Sequence, residues 1–207
     1  FKMKRLIQGQ GNNSPNEYDR IFLARQKKGV DWFDLKRWKE LIKHYRGGPV
    51  IDIGVLDSLA LIMLRKKYPF EFMLGIDIAE YAIKTMRVVY PSIYWEEYDA
   101  NNIPIKDNAV NYVIMGELIE HVESPGKVIK EAMRILKSGG ILALSTPLEE
   151  TEKGEFDKEH HLWSFSIEDI INLLSPYGTV KIKLLGSNYF PIYKYHPKAI
   201  LAWCQKR

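Results

Sequence analysis

Four stretches of the chain end an apolar run with groups that could hold a nucleoside: Asp52-Ile53-Gly54, Asp77-Ile78, Asp99-Ala100 and Met115-Gly116-Glu117. Asp77 stands 23 residues beyond Gly54. An acid at about that distance is the expected ribose partner, because one carboxylate can accept from both vicinal hydroxyls. Asp99, one strand further on, could accept from an exocyclic adenine amine. Each of these acids alone could be a turn former; their recurrence at successive strand ends points to one ligand. The chain has no GxxxxGK[ST], so it lacks the backbone nest and lysine that cradle phosphates. It has no GxGxxG, which a dinucleotide pyrophosphate would require. The pattern therefore suits a nucleoside without phosphate. S-adenosylmethionine, made of adenine, ribose, a sulfonium and an amino-acid tail, is such a ligand.

A second constellation is Glu117-Leu118-Ile119-Glu120-His121, followed much later by Glu159-His160-His161. Spacings of three and four would bring Glu117, Glu120 and His121 to one face of a helix. Glu117, Glu120, His121 and His161 form an oxygen/nitrogen set compatible with a divalent ion. Alternatively, Glu117 lines the cofactor pocket, Glu120 and His121 pair locally, and His160 or His161 makes a loop-to-helix contact. The second arrangement, without metal, is the expectation. His121 or His161 then serves as general base, since an imidazole titrates near neutrality. The catalytic candidates are His121, His161 and Glu117.

These groups need elements to position them. From residue 49, short apolar runs at 49–53, 72–77, 93–98, 110–115 and 140–146 alternate with helical stretches at 57–67, 79–89 and 124–137. That alternation argues for a parallel sheet covered by helices on both faces. Ser166 with Asp169 three residues on resembles a capping box and opens a helix over 166–175. Two further strands, 179–186 and 198–205, have no helix between them and should pair antiparallel. The expected fold is α/β: a Rossmann-like, doubly wound, seven-stranded sheet, mostly parallel with an antiparallel C-terminal pair. Before it, residues 1–16 read as a flexible lead-in. Residues 17–28 and 31–46 read as helices, with Asp31 as N-cap and Gly47-Gly48 as the stop. The division expected is a helical lid segment, 1–46, and a catalytic domain, 47–207. Tyr18, in the lid, could cover the cofactor. Trp32, Trp38, Trp163, Phe165, Tyr189, Phe190 and Tyr193 read mainly as core and lid packing.

The chain has 207 residues, 46% hydrophobic and 27% charged, enough to bury a sizeable core. No run approaches 18 apolar residues, and the N-terminus lacks the apolar stretch of a secretory signal. The single Cys204 can form neither an internal disulfide nor a cysteine metal framework. A cytoplasmic protein is expected. Residues 1–48 hold 12 Lys+Arg against 5 Asp+Glu, whereas the remainder holds 18 against 21. The basic segment could attract an anionic partner, but it reads first as a solvated helical surface.

Several segments resemble the class I S-adenosylmethionine-dependent methyltransferases, especially the UbiE/UbiG-like group. They are Val50-Ile51-Asp52-Ile53-Gly54, Gly75-Ile76-Asp77-Ile78, Tyr98-Asp99-Ala100 and, most specifically, DNAVNYVIMGELIEHVESPGKVIKEAMRILKSGGILALSTP over 107–147. The resemblance implies S-adenosylmethionine as cofactor. It also implies a site of Asp52, Gly54, Val55, Leu56, Asp77, Ile78, Asp99, Ala100, Met115 and Gly116, with Asp77 on the ribose, Asp99-Ala100 on the adenine and Gly54 at the methionine end. Some relatives with Glu-x-x-Glu-His use a metal there. One departure is clear: the family usually reads Asp-x-Gly-x-Gly-x-Gly, and here Leu56 and Ser58 replace the second and third glycines. The loop either takes an ordinary path and still reaches the cofactor, at some cost in affinity, or fills the pocket. Methyl transfer to an oxygen or nitrogen of a small molecule is the expected function. The alternatives are a binding module that has lost its cofactor and an RNA methyltransferase. The basic N-terminus and the Glu/His set motivate the RNA reading, but no RNA-binding module is evident, so nucleic acid is not the expected partner.

Overall fold

The computed structural model describes residues 3–5, 13–28, 32–56, 59–148, 160–189 and 194–207. Its centre is a seven-stranded sheet of β2 (Val50–Ile53), β3 (Met73–Asp77), β4 (Tyr94–Glu97), β5 (Val110–Gly116), β6 (Leu136–Pro147), β8 (Gly178–Tyr189) and β9 (Lys194–Lys206), in spatial order β4-β3-β2-β5-β6-β9-β8. The first five are mutually parallel; β9 runs antiparallel between β6 and β8. The order reverses between β2 and β5, which places the ligand crevice at the C-terminal ends of those strands. The predicted doubly wound sheet with its antiparallel pair is the observed architecture.

Burial on both faces explains the near-continuous apolar strands: β2 and β3 are buried at every position. One face packs Trp38, Leu41, Leu61, Leu64, Ile83 and Met86 from α2 (Trp32–Ile42), α3 (Leu59–Lys67) and α4 (Glu80–Val89). The other packs Val128, Ile129, Ala132, Met133, Ile170 and Leu174 from α5 (Pro125–Ile135) and α6 (Ile167–Leu174). In α5 those apolar residues recur every three or four positions, and Pro125 opens the helix where its missing N–H costs nothing. The capping box at α6 is present: Ser166 accepts from the Asp169 N–H, and the Asp169 carboxylate accepts from the Ser166 N–H at 2.8 Å. Among the described residues, no helix is long and apolar enough to cross a membrane.

Three sequence expectations need correction. The helix predicted over 124–137 stops at Ile135, because Leu136 is already extended and pairs with Val110 as the start of β6. Within the lead-in, β1 (Lys4–Arg5) is extended and pairs antiparallel with β7 (Trp163–Ser164). The helix predicted over 31–46 ends at Ile42, and Gly47 and Gly48, at φ +105° and +85°, turn the chain into β2. Helix α1 (Pro15–Lys28) packs on α4 through Phe22, which is buried and meets Tyr81 edge-on. Asp31, Asp57, Ser58, Phe190 and Tyr193 lie outside the described residues, as do residues 149–159, Glu159 among them.

Candidate active site

The loop after β2 is built around Asp77. Gly54 sits at φ +73° and donates its N–H to the Ile76 carbonyl at 2.9 Å; Val55 donates to the same carbonyl. Leu56 follows at φ +40°, the left-handed region that a glycine would occupy without cost. Its N–H donates to the Asp77 carboxylate at 2.8 Å. Its side chain leans on the core cluster of α2, α3 and α4. The residue replacing the second glycine thus keeps a glycine-like backbone path and turns its bulk into the core. At Gly54 a side chain is disfavoured by the backbone at φ +73°, and a Cβ would also displace the Leu118 side chain, 2.8 Å away.

Asp77 is 8% exposed and also accepts from the Ala79 N–H at 3.0 Å. Burial pushes its pKa up, opposed by these backbone N–H groups. Ile78 is half-buried beside it, Asp52 and Met115 are wholly buried in their strands, and Gly116 is buried at the end of β5. Asp99 is exposed and closes a local turn, accepting from the Asn101 N–H at 2.8 Å, with Ala100 half-buried next to it. Strand register brings these points together: Gly54 reaches Ile76, Tyr98 donates its N–H to the Asp77 carbonyl, and Asp52 lies opposite Ile114.

Residues 117–124 form turns, not the first turns of a helix, which corrects the one-face expectation. Glu117 adopts φ +56°, which no helix accommodates. Its carboxylate meets Arg37 on α2 at 3.3 Å and is not among the converging ligand atoms that follow. Glu120, His121 and His161 do converge: one ligand atom from each lies within 4.8 Å of the others. Glu120 is wholly buried and accepts from the Thr146 hydroxyl at 3.0 Å. Desolvation, reinforced by the Glu117 charge and opposed by His161, pushes its pKa up to about 8. The His121 and His161 rings meet edge-on at 4.7 Å. His121 Nδ1 lies 3.1 Å from the His160 carbonyl, which can only accept, so Nδ1 carries the proton and Nε2 the lone pair of the neutral ring.

Helix α1 and the residues before it cover this cluster. Asn13 donates to the carbonyls of His121 and His160, Glu17 meets His160 Nε2 at 3.1 Å, and Tyr18 packs edge-on against His121. Arg20 and His160 together hold the Glu17 pKa down at about 2. Asp19 accepts from the N–H groups of Tyr81 and Ala82, so α1 caps α4 just past Asp77. Asn13, Glu17, Asp19 and Arg37 were not singled out from the sequence. Their partners lie between 62 and 147 residues away, apart from Glu17–Arg20 and Asp34–Arg37, and no local pattern marks them.

Residues 51–144 match the family model described as a methyltransferase domain. The ubiquinone/menaquinone biosynthesis C-methyltransferase UbiE of Desulfotalea psychrophila is 27% identical over 111 residues, 51% of this chain and 45% of the relative. The chain spans about half the length of the first curated relatives it matches. Among solved structures, the complex between the Haloferax volcanii Trm112 methyltransferase activator and its methyltransferase provides a match with TM-score 0.70 at 16% identity, covering 92% of this chain and 98% of that one. A SAM-dependent methyltransferase of Thermotoga maritima matches with TM-score 0.68 at 21% identity, covering 93% and 95%. Sequence likeness to a methyltransferase domain over residues 51–144 and fold likeness over nearly the whole chain fall on the same central β–α units.

Proposed function

We propose that the protein transfers a methyl group from S-adenosylmethionine to an oxygen or nitrogen nucleophile of a small molecule. The observation that carries this is adjacency. Gly54 and Asp77, at the ends of β2 and β3, lie on the same side of the sheet as the turn after β5, where Glu120 and His161, both buried, converge with the half-buried His121. Asp77 would hold the ribose hydroxyls, Asp99 and Ala100 the adenine edge, and Gly54 the sulfur end. When bound, the cofactor supplies an electrophilic methyl on a sulfonium. The chain's own residues do the rest. His121 Nε2 or His161 takes the proton that the acceptor's O–H or N–H loses, and Glu120 backs the imidazoles from Thr146. The α1 cover over His121 excludes water and fixes the acceptor's approach. Leu56 turned into the core supports a retained cofactor rather than a filled pocket.

The donor set also fits a divalent ion. Two imidazoles and a carboxylate converge, and Glu120 Oε1 is buried without a hydrogen-bond partner among the described residues. Glu120, His121 and His161 would be the ligands, with Glu117 drawn off by Arg37. Such an ion would lower the pKa of an acceptor hydroxyl.

Thermal unfolding with and without S-adenosylhomocysteine tests the donor: wild type should gain stability at saturating ligand and Asp77→Asn should not. Absence of any shift at millimolar ligand would sink the reading. A panel of hydroxyl and amine acceptors, run with His161→Gln and with a chelator, separates the base from the metal.

A further inference from the structure

Two polar atoms at the β5 end have no hydrogen-bond partner among the described residues although both are buried: Arg37 Nε, a donor, and Glu117 Oε1, an acceptor. The Arg37 side chain is only 7% exposed. A buried polar atom left unpaired calls for a physical reason. The ion pairs within the chain do not provide one. Arg37 Nη2 meets Asp34 at 2.8 Å and Nη1 meets the other Glu117 oxygen at 3.3 Å, which leaves the Nε N–H of the guanidinium without an acceptor.

The location is specific. Trp38, next to Arg37 on α2, packs so closely on Gly116 that a Cβ there would lie 2.4 Å from the indole ring. Gly54 faces Leu118 in the same way. Arg37, Gly54 and Glu117 thus share the crevice between the ends of β2 and β5. Glu117 is held at φ +56°, a conformation that costs a non-glycine residue and persists only where the surroundings impose it.

A free guanidinium N–H beside a carboxylate oxygen is complementary to a free α-amino acid, whose carboxylate accepts from the N–H and whose ammonium donates to the acid. We infer that Arg37 and Glu117 anchor the amino-acid arm of the cofactor. Arg37 Nε takes the α-carboxylate and Glu117 Oε1 takes the α-ammonium. This rests on the S-adenosylmethionine reading above and deepens it. With Leu56 in place of the second glycine, Gly54 is the glycine at which loop backbone can come close. Side chains from α2 and from the turn after β5 hold the arm instead.

Calorimetric titration of the full chain with two ligands tests the assignment. One is S-adenosylhomocysteine; the other is 5′-methylthioadenosine, the same thionucleoside with its amino-acid arm cut back to a methyl group. Wild type should prefer the first. Arg37→Gln should weaken S-adenosylhomocysteine by roughly tenfold to a hundredfold, the loss of a charge-assisted hydrogen bond, and move methylthioadenosine by less than about threefold. Glu117→Gln should act in the same direction, and Arg37→Lys should restore part of the preference. Comparing two ligands on one variant removes any general effect of the substitution on folding. Equal weakening of both ligands, or of neither, overturns the inference and leaves the pair a structural one. Wild type binding neither ligand overturns the cofactor reading, and this inference with it.

Discussion

Glu120 supplies the sharpest test of the site's electrostatics. Its carboxyl is wholly buried, and desolvation together with the Glu117 charge moves its pKa from 4.5 to about 8. The sign follows from linkage. Below about pH 4.5 the acid is protonated in both the folded and unfolded chain. Between 4.5 and about 8 the unfolded chain releases the proton while the folded one keeps it, so stability falls as pH rises; above about 8 the loss is complete. At ~1.36 kcal/mol per pH unit, that window corresponds to on the order of 5 kcal/mol. Glu120→Gln keeps the shape, keeps an oxygen for the Thr146 hydroxyl and removes the titration. Urea unfolding in the presence of a chelator should find the two proteins within about 1 kcal/mol at pH 5, with the variant progressively more stable toward pH 8.5. A stability difference that stays constant between pH 5 and 8.5 would refute the claim that burial holds this acid neutral. A wild type that gains relative to the variant with rising pH would show that a cationic neighbour compensates the charge.

Three further outcomes follow from the loop and its cover. Leu56→Gly should relieve about 1 kcal/mol of left-handed strain but lose side-chain packing and gain unfolded-state freedom, for a net loss of about 1 kcal/mol. Its affinity for S-adenosylhomocysteine, read by calorimetry, should stay within about threefold. Gly54→Ala should weaken S-adenosylhomocysteine binding by about tenfold or more, since the backbone stands at φ +73° and the added Cβ displaces the Leu118 side chain, 2.8 Å away; unchanged affinity would contradict the cradle. Asp19→Ala should uncap α4 and lower stability by about 1 kcal/mol in urea unfolding, with faster amide exchange at Tyr81 and Ala82.

The sheet was legible because its determinants are local. Runs such as Tyr112-Val113-Ile114-Met115 bury on both faces whatever their neighbours, and the 3.6-residue stripe of α5 needs only its own sequence. The strand-end points were legible because a doubly wound sheet puts every strand's C-terminus on one side. The Glu117–His121 turn was not, since spacing of three and four looks helical and nothing in the residue types announces a left-handed backbone at a glutamate. A lid over 1–46 was expected, but the side chains that seat it were not legible. Asn13 meets His121 and His160 across more than a hundred residues of chain, and an asparagine in a polar lead-in carries no sign of its partner.

Leu56 and Glu117 are two of three non-glycine residues at positive φ among the described residues, and both border the same crevice. Asn108, the third, is a residue type that tolerates the conformation and sits in the turn before β5. Strain at residues that gain nothing locally marks positions where the fold and the local preference disagree, and such disagreements collect at functional sites. The two strained residues do different work. At Leu56 the backbone aims its N–H at Asp77, and the side chain is removed to the core. At Glu117 the backbone aims the side chain itself toward Arg37. A loop that has given up its second glycine therefore need not have given up its ligand. Under the assignment proposed above, a buried guanidinium and a carboxylate, one from the helix before the sheet and one from the turn after β5, take over the contact that a second glycine would make.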